Sequence, residues 1–412
     1  MIPRAALQAR AHEWGLTEEV VEKDYVLSWL LWGIGSHAAL RGSWIFKGGT
    51  CLKKCFVETY RFSEDLDFTI LEGGPLRPDD LVPALGEALD MVEQESGITL
   101  SSRAPVVRMR PDDKSAEGRI YYRGPRGAPG EARVKLDLTY DEVVVEPTER
   151  RIIAHAYDEL LPGDGAVRCY AFVELFAEKL RALGQRTRPR DLYDVINLYR
   201  RADLRDDRER VRAVLERKCA YKDMPLPTLK LVTDADKLSE LRADWQAMLA
   251  HQLPVLPPID AFIEALEGLF DWLDGATAPR LQSVPHLREH LEQGWAPPPT
   301  LTRWSGGAPL EQIRFAGANH LLVELTYQNT TRLIAPYALR RTQAGDLLVY
   351  AIKASTGEVR SYRVDRIQGV RVTNDSFVPQ YAIELTAVPP LSTGRQAPRS
   401  RRSGRSPARG RR

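Results

Sequence analysis

The spacing of apolar and polar residues changes several times along the chain, and each change predicts an element. In "LTEEVVEKDYVLSWLLWGI" the apolar residues recur at helical spacing behind Thr17, which predicts an amphipathic helix capped by that hydroxyl. "WIF" and "LDFTI" predict strands, with a helix over "GGTCLKKCFV" between them. "DDLVPALGEALDMVEQE" predicts another helix, capped by an acid. "RIYYRG" and "EARVKLDLTYDEVV" predict strands separated by the turn "GPRGAPG". After about Arg150 the period becomes helical, in "AFVELFAEKLRAL", "RDLYDVINLYRR", "RERVRAVLERKCA" and "IDAFIEALEGLFDWLDG". A mixed sheet domain over residues 1–150 is therefore expected to precede a helical lobe over 151–285.

The pattern breaks at "GWAPPPTLTRWSGGAP", so residues 286–309 are expected to be a linker. Beyond it, "LLVELTYQN", "TRLIAPYAL", "DLLVYAIKA" and "VRSYRVDRIQGVRV" predict short strands with turns between them, a small all-β module over 310–390. The closing segment, 391–412, is rich in Arg, Ser, Gly and Pro, and cannot bury a core; disorder is expected there.

Composition narrows the class. With 412 residues and 43% hydrophobic content, the chain has material for two or three cored domains. Its net charge of +2 conceals an uneven distribution, because Arg395 to Arg412 holds many arginines and no acid, and the body without it is acidic. Such a tail suits a polyanion such as RNA. Four cysteines, at Cys51, Cys55, Cys169 and Cys219, form neither a disulfide framework nor the paired spacings of a zinc site, which points to a reducing compartment. The most apolar early run, Tyr25–Gly35, is too short to span a bilayer and follows acids rather than lysines, so a cytoplasmic protein with no membrane partner is expected.

The candidate chemistry is concentrated in "WIFKGGTCLKKCFVETYRFSEDLDFTI", residues 44–70. Residues two apart on a strand share a face, so Asp65 and Asp67 present two carboxylates to one point. Carboxylates so placed repel unless a cation lies between them, and hard oxygen ligands suit Mg²⁺ with phosphate completing its shell. Gly48-Gly49-Thr50, at the entry to a helix, would let backbone N–H groups approach that phosphate. Alone, a Gly-Gly is an ordinary turn and a D-x-D a solvated strand face. The order strand, GGT, helix, D-x-D strand favours a nucleotide site.

Two helical positions add to this. Lys179 falls within the apolar stripe of Phe172, Leu175, Phe176, Leu180 and Leu183, where it must either snorkel out or meet an anion. Asp191 leans towards the apolar side of the next helix, and Pro189 suits that helix's start; the aspartate can equally serve the helix N-terminus. Cys51 and Cys55, one helical turn apart without a matching ligand pair, read as packing residues, and His155, His286 and His290 show no metal pattern.

"KGGTCLKKCF" followed by "RFSEDLDF", with "EKDYVLSWLL" upstream and "FAEKLRAL…RPRDLYDV" downstream, resembles the AbiEii/AbiGii nucleotidyltransferase toxin family of the polymerase-β-like superfold. The resemblance covers about Met1 to residue 285. It implies an α+β catalytic core with a helical lobe, acting in type IV toxin–antitoxin and abortive-infection systems. It also implies an NTP substrate with Mg²⁺ (or Mn²⁺), nucleotide-binding roles for Lys47, Gly48, Gly49 and Thr50, a supporting Ser63, and metal ligation by Asp65 and Asp67. Asp137, which shares a strand face with Lys135 and Thr139, is the candidate third carboxylate, or else an ordinary strand charge near an edge. A catalytic lysine is implied at Lys179 and an essential aspartate at Asp191, with Asp194 the weaker candidate.

Residues Ile313–Thr373 resemble a WYL domain, an Sm-like β-barrel frequent in ligand-sensing parts of defence regulators, through Tyr327, Arg332, "APYAL", "LVYAI" and "RSYRVDRI". The name-giving triplet is only approximated. Arg332, Tyr350, Arg360, Tyr362 and Arg366 could engage a nucleotide or single-stranded nucleic acid, or could be the polar exterior of a barrel. The expected function is transfer of a nucleoside monophosphate from an NTP to an RNA hydroxyl, with a tRNA 3′ end foremost and a cognate antitoxin as partner. Two alternatives stand beside it: a nucleotide-sensing regulatory module, and transfer to a protein acceptor.

Overall fold

The computed structural model describes residues 1–57, 61–201, 207–277, 281–287, 290–297 and 310–386. The tail and residues 298–309 of the expected linker lie outside the described residues. The chain opens with α1 (Arg4–Trp14), which ends on Gly15 at φ +68°, and α2 (Glu18–Ser36), whose first turn is capped by the Thr17 hydroxyl accepting from Val20 N. Strand β1 (Trp44–Lys47) runs directly into α3 (Gly48–Cys51), which continues as a π-type turn over Leu52–Phe56. Then come β2 (Asp65–Ile70), α4 (Pro78–Ser96), β3 (Val106–Met109), β4 (Ser115–Tyr122), β5 (Ala132–Thr139), β6 (Glu149–Ile152) and β7 (Ala166–Cys169). The α4 start differs from expectation: its N-cap is Arg77 with no side-chain cap bond, while Asp79 and Asp80 sit inside the first turn, where they favour the helix dipole instead.

Seven strands form one mixed sheet in the order β3-β4-β5-β2-β1-β7-β6. Strand β1 pairs antiparallel with β2 and parallel with β7, and β2 pairs parallel with β5. The helical pattern after Arg150 therefore begins later than the sequence suggests. "AVRC" is a strand between β1 and the edge strand β6, too short for its alternation to stand out. Asp137 is not near an edge either, because β5 is flanked by β2 and β4.

The helical lobe follows as α5 (Phe172–Arg186), α6 (Pro189–Tyr199), α7 (Arg208–Tyr221), α8 (Leu229–Val232), α9 (Ala235–Leu249), α10 (Asp260–Ile263) and α11 (Ala265–Leu273). Phe172, Leu175, Phe176, Leu180 and Leu183 of α5 are all buried, as the stripe requires. Buried Lys218 of α7 pairs with Glu174 of α5 at 2.9 Å, and Glu174 accepts the N–H groups of Val145 and Glu146, which locks the chain beyond β5 onto the lobe.

Helix α12 (Leu310–Ala318) leads into β8 (Leu321–Tyr327), β9 (Thr330–Arg341), β10 (Leu347–Lys353), β11 (Val359–Arg363) and β12 (Ile367–Ser376). These form an antiparallel sheet in the order β11-β10-β9-β8-β12, with no ladder between β11 and β12 among the described residues. The described stretch before residue 298 packs on this sheet: Leu291 bridges to Thr342, and Val284 is buried against its apolar cluster.

Candidate active site

The β1–α3 junction determines the geometry. Gly48 has φ +80°, and a Cβ there would fall 2.1 Å from Asp67 Oδ2, so both backbone conformation and close approach require glycine. A Cβ on Gly49 would meet Arg61 Nη2 at 2.5 Å. Thr50 is buried and its Oγ1 donates to the Asp65 carbonyl at 2.5 Å, so this hydroxyl ties the loop to β2 rather than facing solvent.

On β2, Leu66, Phe68 and Ile70 enter the core, and Asp65 and Asp67 face the other way. Register places Lys47 beside Asp67 on one flank, and Lys135 beside Asp65 and Asp137 beside Asp67 on the other. Burial pushes the Asp67 carboxyl up to about 6, with Asp137 and Asp65 adding to the rise against Lys47. Asp65 is raised as well, by burial first. Among the described residues neither carboxylate has a basic side chain within ion-pairing distance. Asp137 is paired on both oxygens, with Lys135 at 2.7 Å and with Arg110.

Opposite β2 stands a network on α5 and α6. Lys179 Nζ lies 2.8 Å from Asp194 and 3.3 Å from Asp191. Burial opposes its charge, but Asp194 and Asp191 outweigh burial and leave the lysine above its ordinary value. Asp191 also accepts from Arg186 at 2.7 and 3.0 Å. Fully buried Asp194 accepts two bonds from Arg61, at 2.7 and 2.9 Å. So Lys179 meets anions rather than snorkelling, and Asp194 is its nearer partner.

One cavity of about 550 Å³ is lined by Lys47, Gly49, Ser63, Asp65, Asp67, Asp137, Lys179 and Asp191. It unites the two regions that the sequence presented separately. Arg110, Arg186, Arg188 and Arg190 also line it. Sequence reasoning missed these arginines, although the alternation in "RTRPR" before α6 was a visible signal; Arg110 had none. Among the described residues Arg188 makes no ion pair, and burial, with Arg61 nearby, pulls the Arg190 guanidinium down. The donor set fits a hard divalent cation at Asp65 and Asp67, two raised and unpaired carboxylates on one strand face, with Asp137 available once it releases a cationic partner.

The chain matches the family model described as "Nucleotidyl transferase AbiEii toxin, Type IV TA system" over residues 29–270, well over half its length. The chain belongs to the AbiEii nucleotidyltransferase toxin family. This AbiEii-family chain is thus a nucleotidyltransferase, and its β module matches the WYL domain model over residues 309–372. No curated protein matches it. Among solved structures it is similar to MenT4, a nucleotidyltransferase toxin from Mycobacterium tuberculosis H37Rv, at 21% identity and a TM-score of 0.47, over 68% of this chain and 91% of that one.

In the WYL domain the five candidate residues do not share one place. Arg332 and Arg360 act electrostatically on Tyr362, and Arg332 Nη1 donates to the Tyr327 carbonyl at 2.8 Å. Tyr350 is buried in the apolar cluster on the other face, because its cross-strand partner is Ser361 rather than Tyr362. Arg366 is exposed on the turn between β11 and β12. Among the described residues no helix is long and apolar enough to cross a membrane.

Proposed function

We propose that this enzyme transfers a nucleoside monophosphate from an NTP, with Mg²⁺ or Mn²⁺, to a nucleic-acid hydroxyl, a tRNA 3′ end foremost, and so blocks translation or phage growth. The reading rests on the unpaired Asp65–Asp67 pair sharing one cavity with Lys179, Asp191 and Gly49. The acceptor hydroxyl gives up its proton to solvent as its oxygen bonds to the α-phosphorus, the bond from that phosphorus to the α–β bridging oxygen breaks, and pyrophosphate leaves. Asp65 and Asp67 would hold the divalent metal, which would supply charge neutralisation to the transferring phosphates. Gly49 would bring the backbone to the phosphates, with Lys47 and Ser63 at the flank, while Gly48 makes room for the Asp67 carboxylate. Lys179, kept protonated by Asp191 and Asp194, faces the charge that develops on the phosphates. Arg188 and Arg190 extend that field towards an anionic acceptor.

The free cysteines support a reducing cytoplasm as its compartment. We assign an antitoxin as partner on family grounds, and a nucleotide or nucleic-acid ligand to the face carrying Arg332, Arg360 and Tyr362. The test incubates the full chain with each α-labelled NTP, Mg²⁺ or Mn²⁺, and total or purified tRNA. Label at an RNA 3′ end is expected, with pyrophosphate released in equal amount and none from Asp65→Asn. Label on protein would replace the acceptor, and no transfer with any nucleotide or metal would overturn the reading.

A further inference from the structure

Three of the chain's four cysteines meet at one point in the core. Cys51 closes α3, Cys55 follows one turn later in the π-type segment, and Cys169 ends β7 opposite Phe46 of β1. Their sulfurs all lie within 4.8 Å of one another, and all three residues are buried. Cysteines chosen only as small apolar residues have no reason to converge from separate elements, since alanine or valine would fill the same space.

We propose that Cys51, Cys55 and Cys169 form a three-thiolate site for a single soft metal ion of the Cu(I) class, directly behind the Gly48-Gly49-Thr50 loop. Thiolate donors select soft ions, and a trigonal ion with metal–sulfur bonds of about 2.3 Å would set its sulfurs ~4 Å apart, within the observed spread. Among the described residues no histidine, aspartate or glutamate joins the group. Zinc, which takes four ligands, is therefore poorly served in a buried apolar setting that offers water little access.

Binding releases up to three thiol protons and leaves the site negatively charged, so a cation must stand nearby. Arg151 supplies it. Its guanidinium lies 4.4 Å from the Phe56 ring centre, acts electrostatically on Cys55, and carries a buried Nη2 with no hydrogen-bond partner among the described residues. Because Cys51 ends the helical turn begun by Gly48, and Cys169 sits beside β1, the bound ion would brace the strand-to-helix junction.

The test titrates the reduced full-length chain anaerobically with Cu(I), supplied as its acetonitrile complex, against a chromophoric Cu(I) chelator. One equivalent should be retained, with a thiolate charge-transfer band and three sulfur scatterers at about 2.3 Å in X-ray absorption. Cys169→Ala should weaken retention by at least on the order of ten-fold and remove the melting-temperature rise that Cu(I) gives. Cys219→Ala should change neither. The scattering measurement on the unmodified chain keeps the test valid if a cysteine variant fails to fold. Retention no better than that of the Cys169→Ala chain, tighter binding of Zn²⁺, or a Cys55–Cys169 disulfide in place of metal would overturn the assignment. Every readout is of binding or melting, so the result is independent of nucleotidyl transfer.

Discussion

At the scale of single residues, Gly48 and Asp67 fit only each other: one gives up its side chain so that the other's carboxylate can lie against the loop. Asp67 ionises at a cost, because its carboxyl stands at about 6 in the folded protein against an ordinary 3.8. Between those values the metal-free folded chain binds more protons than the unfolded one, so stability falls as pH rises through that window. At pH 7 the penalty reaches up to ~3 kcal/mol. Asp67→Asn should therefore melt higher than the wild type at pH 7 without metal, lose that advantage near pH 4, and support no transfer. Calorimetry at the two pH values beside the transfer assay checks this; a lower melting temperature at pH 7 would recast Asp67 as a residue the fold needs. The pairing of Asp65 with Asp67 was legible because strand period fixes which side chains share a face. The adjacency of Asp137 was legible only through the family resemblance, since strand order is not written in local spacing.

At the scale of elements, α5 and α6 present a chain of charges, Arg61–Asp194–Lys179–Asp191–Arg186, in which the two aspartates are wholly buried. The members are not equivalent. Asp194→Ala removes the anion that buried Arg61 and Lys179 share, leaving Lys179 with Asp191 at 3.3 Å, and should cost about 3–5 kcal/mol in urea unfolding. Lys179→Met leaves Asp194 with Arg61 and Asp191 with Arg186, so it should cost much less, on the order of 1 kcal/mol, while abolishing transfer. Equal losses of stability in the two variants would count against this division. Because Lys179 and basic partners hold Asp191 and Asp194 below the usual carboxylate range despite burial, the network's stabilisation is complete above about pH 4 and is lost as pH falls further. Lys179 was visible as a lysine inside an apolar stripe. Arg61 was not, because 133 residues separate it from Asp194 and no periodicity spans that distance. Strand β7, and with it Cys169, escaped for a related reason: four residues after a glycine-rich turn carry too little alternation to register.

At the scale of the whole molecule, the WYL domain is not merely tethered to the catalytic body. One apolar cluster runs from α1 and α2 through α12 into β8. Gln312 donates to the Glu13 carbonyl at 3.3 Å, and Phe315 shares a small cavity with Trp14, Phe62 and Lys53. The sequence separated the two regions by composition but could not show this seam, since apolar residues of α12 look like the core of their own domain. The Arg-rich tail lies outside the described residues, and whatever its conformation its net positive charge is screened beyond a Debye length of about 8 Å at physiological salt. Deleting residues 395–412 should leave melting unchanged, weaken RNA engagement at low salt and flatten its salt dependence, with NTP binding intact. Truncation before residue 310 should in addition expose Trp14 and the neighbouring core, and lower the melting temperature by more than about 5 °C. It should also change the basal transfer rate at saturating RNA, because Phe62, next in the chain to the Arg61 that holds Asp194, loses its Phe315 neighbour. Melting curves and steady-state transfer across a salt series on the three chains separate these effects. Identical melting of the full chain and the longer truncation would mean that the seam contributes no stability, and any rate change would then have to come from the face to which a ligand is proposed to bind.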